Sequence, residues 1–156
     1  MSGIDAKYIA LGGASGFLGA PETVETTCPD GVGHYRHYKD GSIYWHPLTG
    51  AHEVHGLIRA KWAALGWERS ILGYPKTDET ACGGGAPGRY NLFQGGAVIW
   101  KQGANAAFET HGAIRNKSGE MGFEVGFLGF PVTDETKTPD GVGRFSHFEG
   151  GSVYSL

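Results

Sequence analysis

The chain has 156 residues, enough for one domain with its own core, and Gly supplies 28 of them against a usual share of about 7%. A formal charge of -3 provides no basic field for nucleic acid or an anionic membrane surface. No apolar run approaches the roughly 20 residues that span a bilayer, and MSGIDAKYIALGG lacks the basic-then-apolar order of a signal peptide.

The elements recur, so each is read with its copies. The first is an apolar-periodic segment: IDAKYIALGG from Ile4, LIRAKWAALGW from Leu57 and AIRNKSGEMGF from Ala113. In the second copy Ile58, Lys61, Trp62 and Leu65 step by three and four, which predicts an amphipathic helix. Gly12, Gly66 and Gly122 stand where a left-handed residue ends a helix. The third copy carries Ser118 and Gly119 inside and is the weakest helix former. Trp62 and Trp67 read as packing residues.

Next comes a Leu-Gly-x-Pro segment: FLGAP at Phe17, ILGYP at Ile71 and FLGFP at Phe127. Its Gly accepts positive φ, and its Pro pushes the preceding residue out of α space. The expected product is a sharp reversal that drops Leu into the core. The three Leu residues, at 18, 72 and 128, are 54 and 56 apart, so the chain is a modular array and the repeat governs the fold.

TVET, TDET and TDET follow from Thr23, Thr77 and Thr133, then a turn: PDG at Pro29 and Pro139, GGG at Gly83. Thr-Asp-x-Thr patterns serve as turns and caps through side chain–backbone bonds. The last element is a hairpin, from His34, Arg89 and Arg144, with Asp40-Gly41, Gly95-Gly96 and Gly150-Gly151 as the expected two-residue turns. TGAHEVHG and GANAAFETHG read as linkers closing the first two units. The expected fold is α+β: three tandem units of roughly 54 residues, approximately 1–56, 57–112 and 113–156. Each is a short helix, a Leu-Gly-x-Pro turn and a β-hairpin, and a lone hairpin being marginal in water, they pack as one compact pseudo-symmetric domain, 1–156.

With Asp40-Gly41 as the turn, Tyr38 faces Ile43, His37 faces Tyr44, Arg36 faces Trp45 and Tyr35 faces His46. The same register pairs Phe93 with Val98 and Phe148 with Val153, an apolar core set. Alternation puts His37, Tyr44, Tyr35 and His46 on the opposite face. The copies of His37–Tyr44 on that face are Leu92–Ile99 and His147–Tyr154.

Cys28 and Cys82 occupy equivalent positions and read as small semi-buried side chains. A bridge between them requires Cα atoms within about 7 Å. Neither cysteine has a second ligand or a base at a recognisable spacing. His55 and His111, with His52, His34 and His46, match no zinc template, so no metal or cofactor is expected.

The LGxP turns, TDET, the PDGVGRF run, the FEGGSVY hairpin and TGAHEVHG…WAALGW together resemble the LGFP tandem-repeat family over essentially the whole chain. The resemblance implies a non-catalytic cell-wall module. In actinobacteria that make mycolic acids, such repeats are appended to mycoloyltransferases and other envelope enzymes to hold them to wall polysaccharide. Stand-alone copies have a lectin-like role. It also implies an extracellular or wall-associated setting and a glycan partner, without nucleic acid or membrane insertion. Three copies with no enzyme among these residues make a free carbohydrate-binding protein the expectation.

The candidate ligand residues are His37 with Tyr44 and His147 with Tyr154, whose rings stack on sugar C–H faces while their polar tips meet hydroxyls. Trp45 and Trp100 are candidate stacking surfaces, set against a packing role. Asp78, Glu79, Asp134 and Glu135 are candidate hydroxyl acceptors, set against structural use, because acids that recur with the repeat suit a structural motif. The alternatives are a cell-wall glycan hydrolase and a protein–protein scaffold. A hydrolase needs two carboxylates at a defined separation or a residue unlike its repeat counterparts. Cys28, His52 and Glu120 are distinctive but form no catalytic motif.

Overall fold

The computed structural model describes residues 3–156. Three helices, α1 (Ile4–Ala10), α2 (Gly56–Leu65) and α3 (Gly112–Glu120), occupy the three apolar-periodic segments. Ile4, Ile58 and Ile114, one per helix at equivalent positions, are fully buried. After each helix a glycine takes positive φ, +103° at Gly12, +117° at Gly66 and +98° at Gly122, and a single 3-10 turn follows.

The strands are β1 (Thr26–Thr27), β2 (His34–Tyr38), β3 (Gly41–His46), β4 (Gly50–His55), β5 (Thr80–Ala81), β6 (Gly88–Phe93), β7 (Gly96–Lys101), β8 (Phe108–His111), β9 (Thr136–Lys137), β10 (Arg144–Phe148) and β11 (Gly151–Ser155). They form three antiparallel sheets, ordered β1-β2-β3-β4, β5-β6-β7-β8 and β11-β10-β9. The segments read as linkers are therefore β4 and β8, the third long strand of the first two sheets. In the third sheet no described strand pairs with the edge of β11 that faces away from β10.

The hairpin register differs from the sequence expectation by two residues. Tyr38 pairs with Gly41, His37 with Ser42, Arg36 with Ile43, Tyr35 with Tyr44 and His34 with Trp45. Phe93 pairs with Gly96 and Phe148 with Gly151. The loops are thus Lys39-Asp40, Gln94-Gly95 and Glu149-Gly150, and no residue in them has positive φ. The reason is the Leu-Gly-x-Pro segment, which grips the hairpin tip through its backbone. Lys39 and Asp40 N–H donate to the carbonyls of Ala20 and Leu18, Gln94 and Gly95 to Tyr74 and Leu72, Glu149 and Gly150 to Phe130 and Leu128. The glycines opening β3 and β7 serve crowding instead of turning. A Cβ on Gly41 would stand 2.5 Å from Leu18 Cδ2, and one on Gly96 would stand 2.4 Å from the Thr110 carbonyl oxygen. A shift of two preserves alternation, so the two faces stay as read although the partners change.

The reversal itself is as expected: Gly19, Gly73 and Gly129 have φ of +75°, +71° and +72°, and Leu18, Leu72 and Leu128 are buried. The first Thr of each TxET run accepts a backbone bond from the hairpin, from His37, Leu92 and His147 N–H.

Each helix lies across its own sheet, α1 on β3 and β4, α2 on β7 and β8, α3 on β11. The largest core cluster joins units, with Tyr44 and Val54 from the first packed on Trp62, Leu72, Tyr74, Phe93 and Val98 from the second. Cys28 and Cys82 are free and buried in separate clusters, so no bridge links them.

Candidate functional site

One face of each hairpin carries a row of side chains that points away from its own helix. In the first unit these are Tyr35, His37, Ser42 and Tyr44. Tyr35 and Tyr44 stack with centroids 5.2 Å apart, His37 tilts against Tyr35 at 4.9 Å, and His37 Nδ1 bonds Ser42 Oγ at 2.7 Å. The third unit repeats this: Phe145 and Tyr154 stack at 5.5 Å, His147 tilts against Phe145 at 4.7 Å, and His147 Nδ1 bonds Ser152 Oγ at 2.6 Å. The rings thus form a platform with a polar corner.

The first platform is filled from within the chain. The second unit brings Trp67 over it, parallel to Tyr44 and 5.2 Å from His37, while Arg59 Nε donates to Ser42 Oγ at 2.7 Å. Tyr44 is left 2% exposed. Burial, joined by the Arg59 charge, lowers the His37 pKa, and burial raises that of the Tyr44 phenol. The expectation that His37 and Tyr44 present a surface site is therefore corrected: the next unit covers them. In the second unit the equivalent positions are Tyr90, Leu92, Ala97 and Ile99; Phe123 faces them across a cleft, and Ile99, 4% exposed, packs with Cys82 and Phe130.

The third platform has no cover among the described residues, and Tyr154 is 64% exposed. His147 and Tyr154 are thus brought together on a solvent-facing surface. Along β11 a groove of about 460 Å³ runs against α3, lined in part by Ser152 and Tyr154.

The four carboxylates read as hydroxyl acceptors sit at the junctions between units. Asp78 accepts the backbone N–H of Glu53 at 3.1 Å and pairs with Lys7 at 2.8 Å. His52 Nδ1 lies 3.1 Å from it. Burial pushes the Asp78 carboxyl up, but His52, Lys7 and the Glu53 amide outweigh it and hold the pKa at about 2. Asp134 repeats the arrangement with the Glu109 N–H and Lys61. Glu79 and Glu135 receive Arg89 and Arg144 at 2.8 and 2.7 Å. Their own backbone N–H groups donate to the buried carboxylates of Glu53 and Glu109. His55 and His111 lie between the two carboxylates at each junction. The acids therefore join β4 and β8 to the following unit.

Trp45 and Trp100 are half-buried. Trp45 packs on the cluster of Ile4, Leu18, Tyr38 and Ile43. Trp100 packs on the core between the first and second units and donates its indole N–H to the Ala104 carbonyl at 2.8 Å. Neither joins the platform. Sequence reasoning missed Phe145 and Ser152 in the third platform and the covering role of Arg59 and Trp67. The signal for the cover was available: Trp67, the covering ring, aligns with Phe123 and with Gly13, so the first unit has no ring at that position.

The family model for the LGFP repeat matches three times, over residues 18–70, 72–126 and 128–155. No curated protein matches the chain.

Proposed function

The chain belongs to the LGFP repeat family, and from that premise we propose that it is a non-catalytic glycan-binding module whose ligand stacks on the ring platform of the third unit. The family suggests association with the cell wall, and no described helix is long and apolar enough to cross a membrane. The observation that carries the reading is the exposed Tyr154 beside Phe145, His147 and Ser152. A sugar ring lays its C–H face on such aromatics, and the imidazole–hydroxyl corner exchanges hydrogen bonds with its hydroxyls. Among the described residues one platform of three is open, and avidity arises where several such platforms meet one polymer. The junction acids are engaged with backbone N–H and cationic partners, which supports a role in holding units together over hydrolytic chemistry.

A second reading is favoured by one observation. In the first unit the same platform holds protein, a Trp ring and an Arg guanidinium, so a partner chain presenting that pair would fit the third platform too. The test is a panel of wall-derived oligosaccharides, followed by calorimetric titration of the full chain with the best of them. Binding at one site per chain, lost in Tyr154→Ala and kept in Ile99→Ala, is the expected result. Failure to bind any glycan in the panel, or cleavage of wall polymer at enzymatic rates, removes the reading.

A further inference from the structure

Between the second and third units lies a cleft of about 370 Å³, floored by Leu92, Ala97 and Ile99, walled by Phe123, and bearing Arg115 and Glu124. The first junction shows what has been taken away to make it. There, Arg59 donates to Ser42 Oγ at 2.7 Å and lies 3.4 Å from His37 Nδ1, and Trp67 fills the space above Tyr44. At the second junction Ser42 is replaced by Ala97, His37 by Leu92, Tyr44 by Ile99 and Trp67 by Phe123. Every replacement removes volume, an acceptor or both. The arginine is kept, as is the tyrosine of Tyr35, here Tyr90, which also lines the cleft.

Arg115 consequently sits half-buried over the Phe123 ring, 4.8 Å from its centroid, with no hydrogen-bond acceptor among the described residues. Burial lowers its pKa, and the Glu124 charge offsets that only in part, without closing to an ion pair. Its nitrogens are not sealed from water, so the guanidinium stands at the cleft in contact with solvent and with no protein hydrogen bond to give up when an anion arrives. An apolar floor beside it, in a hollow at the small end of the ligand-pocket range of about 300–1,000 Å³, is the usual build of a site for an amphipathic small molecule.

We propose that this cleft binds a monocarboxylic acid with a compact apolar body. The carboxylate takes the paired N–H groups of Arg115, the geometry in which that side chain recognises planar anions. The body lies on Leu92, Ala97 and Ile99. Glu124 selects against a second negative charge, so dianions such as phosphate monoesters are excluded. The site is separate from the third platform, and its occupancy is independent of whether that platform takes a glycan.

The experiment titrates the full chain with 2-naphthoate, with the uncharged 2-naphthamide and with naphthyl phosphate, followed by amide chemical-shift changes. The expected result is saturable binding of the carboxylate with shifts confined to Arg115, Phe123, Ile99 and their neighbours. The amide and the phosphate bind at least tenfold more weakly. Arg115→Met keeps the bulk and loses the carboxylate preference, and it lowers the melting temperature by no more than the loss of one exposed cation–π contact does, since no protein hydrogen bond is abandoned. Val125→Trp, at an exposed position on the cleft rim, blocks binding while leaving Arg115 in place. Equal affinity for acid and amide, shifts centred on Tyr154, no binding at millimolar probe, or a stability loss in Arg115→Met equal to a core truncation would each overturn the assignment.

Discussion

The indole of Trp67 lies 5.9 Å from the ring of Tyr44, with the two planes 20° from parallel, and this contact joins the first repeat to the second. Trp67 makes it from a backbone at φ +59°, a region that costs a bulky residue free energy. Two opposing terms follow. Truncation of Trp67 removes an aromatic that seals the junction, whereas a glycine there also relieves the backbone. Trp67→Ala is expected to lower the unfolding free energy by about 2–4 kcal/mol, and Trp67→Gly by about 1 kcal/mol less. Urea unfolding of the two variants checks the order; a glycine variant less stable than the alanine one contradicts it.

The covered and the open platform separate stability from binding. Tyr44, with 2% of its surface exposed, packs against Trp62, Trp67 and Tyr74, so Tyr44→Ala is expected to cost about 3–5 kcal/mol. Tyr154 is 64% exposed, and Tyr154→Ala is expected to change stability by less than about 0.5 kcal/mol while reducing glycan affinity at least tenfold. Thermal unfolding and calorimetric titration on the same samples measure both.

The repeat, the helices, the positive-φ glycines and the faces of the hairpins were legible because each follows from local chemistry: Gly spacing, apolar periodicity and alternation. The hairpin register was not. Asp40-Gly41 and the Gly-Gly pairs look like turn dipeptides, but Gly41 and Gly96 are small because Leu18 and the Thr110 carbonyl press on them, a constraint from residues far along the chain. β4 and β8 read as linkers because their alternation is interrupted by charges. Those charges, Glu53 and Glu109, are buried against the next unit. The site was half legible. Alternation found His147 and Tyr154, yet alternation within one hairpin does not tell that His37 and Tyr44 lie beneath Trp67; that burial depends on the neighbouring repeat and shows only when the repeats are aligned.

The Leu-Gly-x-Pro reversal gives a paired prediction. Gly73 has φ +71°, and a Cβ there would stand 2.6 Å from Gln94 Oε1, the atom that accepts the Tyr74 N–H. Gly73→Ala is expected to destabilise by about 1–3 kcal/mol through backbone strain and loss of that bond. Gly83→Ala meets nothing within 4 Å and lies outside the positive-φ set, so it is expected to be neutral or stabilising by up to about 1 kcal/mol. Melting temperatures of the pair check the contrast. A neutral Gly73→Ala would show that the grip on the hairpin tip tolerates a side chain.

The first junction also sets a pH window. The folded Asp78 carboxyl has a pKa of about 2 against the ordinary 3.8, so its stabilisation is fully present above about pH 4 and is lost as pH falls through 2. For a carboxyl whose side chain is 31% exposed, the contribution is about 1–2 kcal/mol once solvent screening is allowed for. His55 works in the other direction. Burial pulls its pKa down, but the bond to Glu53 and the charge of Glu79 win, and the net shift is upward from 6.5. A raised folded value means stabilisation present below pH 6.5 and lost as pH rises through the folded pKa. The junction is therefore strongest between about pH 4 and 6.5. Asp78→Asn keeps an acceptor for the Glu53 N–H yet cannot titrate, so it is expected to flatten the acid limb of a stability–pH curve while leaving the neutral limb. His55→Gln is expected to flatten the neutral limb alone. Urea midpoints at pH 3, 5 and 8 for the wild type and both variants test the assignment, and an unchanged acid limb in Asp78→Asn would place the acid sensitivity on other carboxylates.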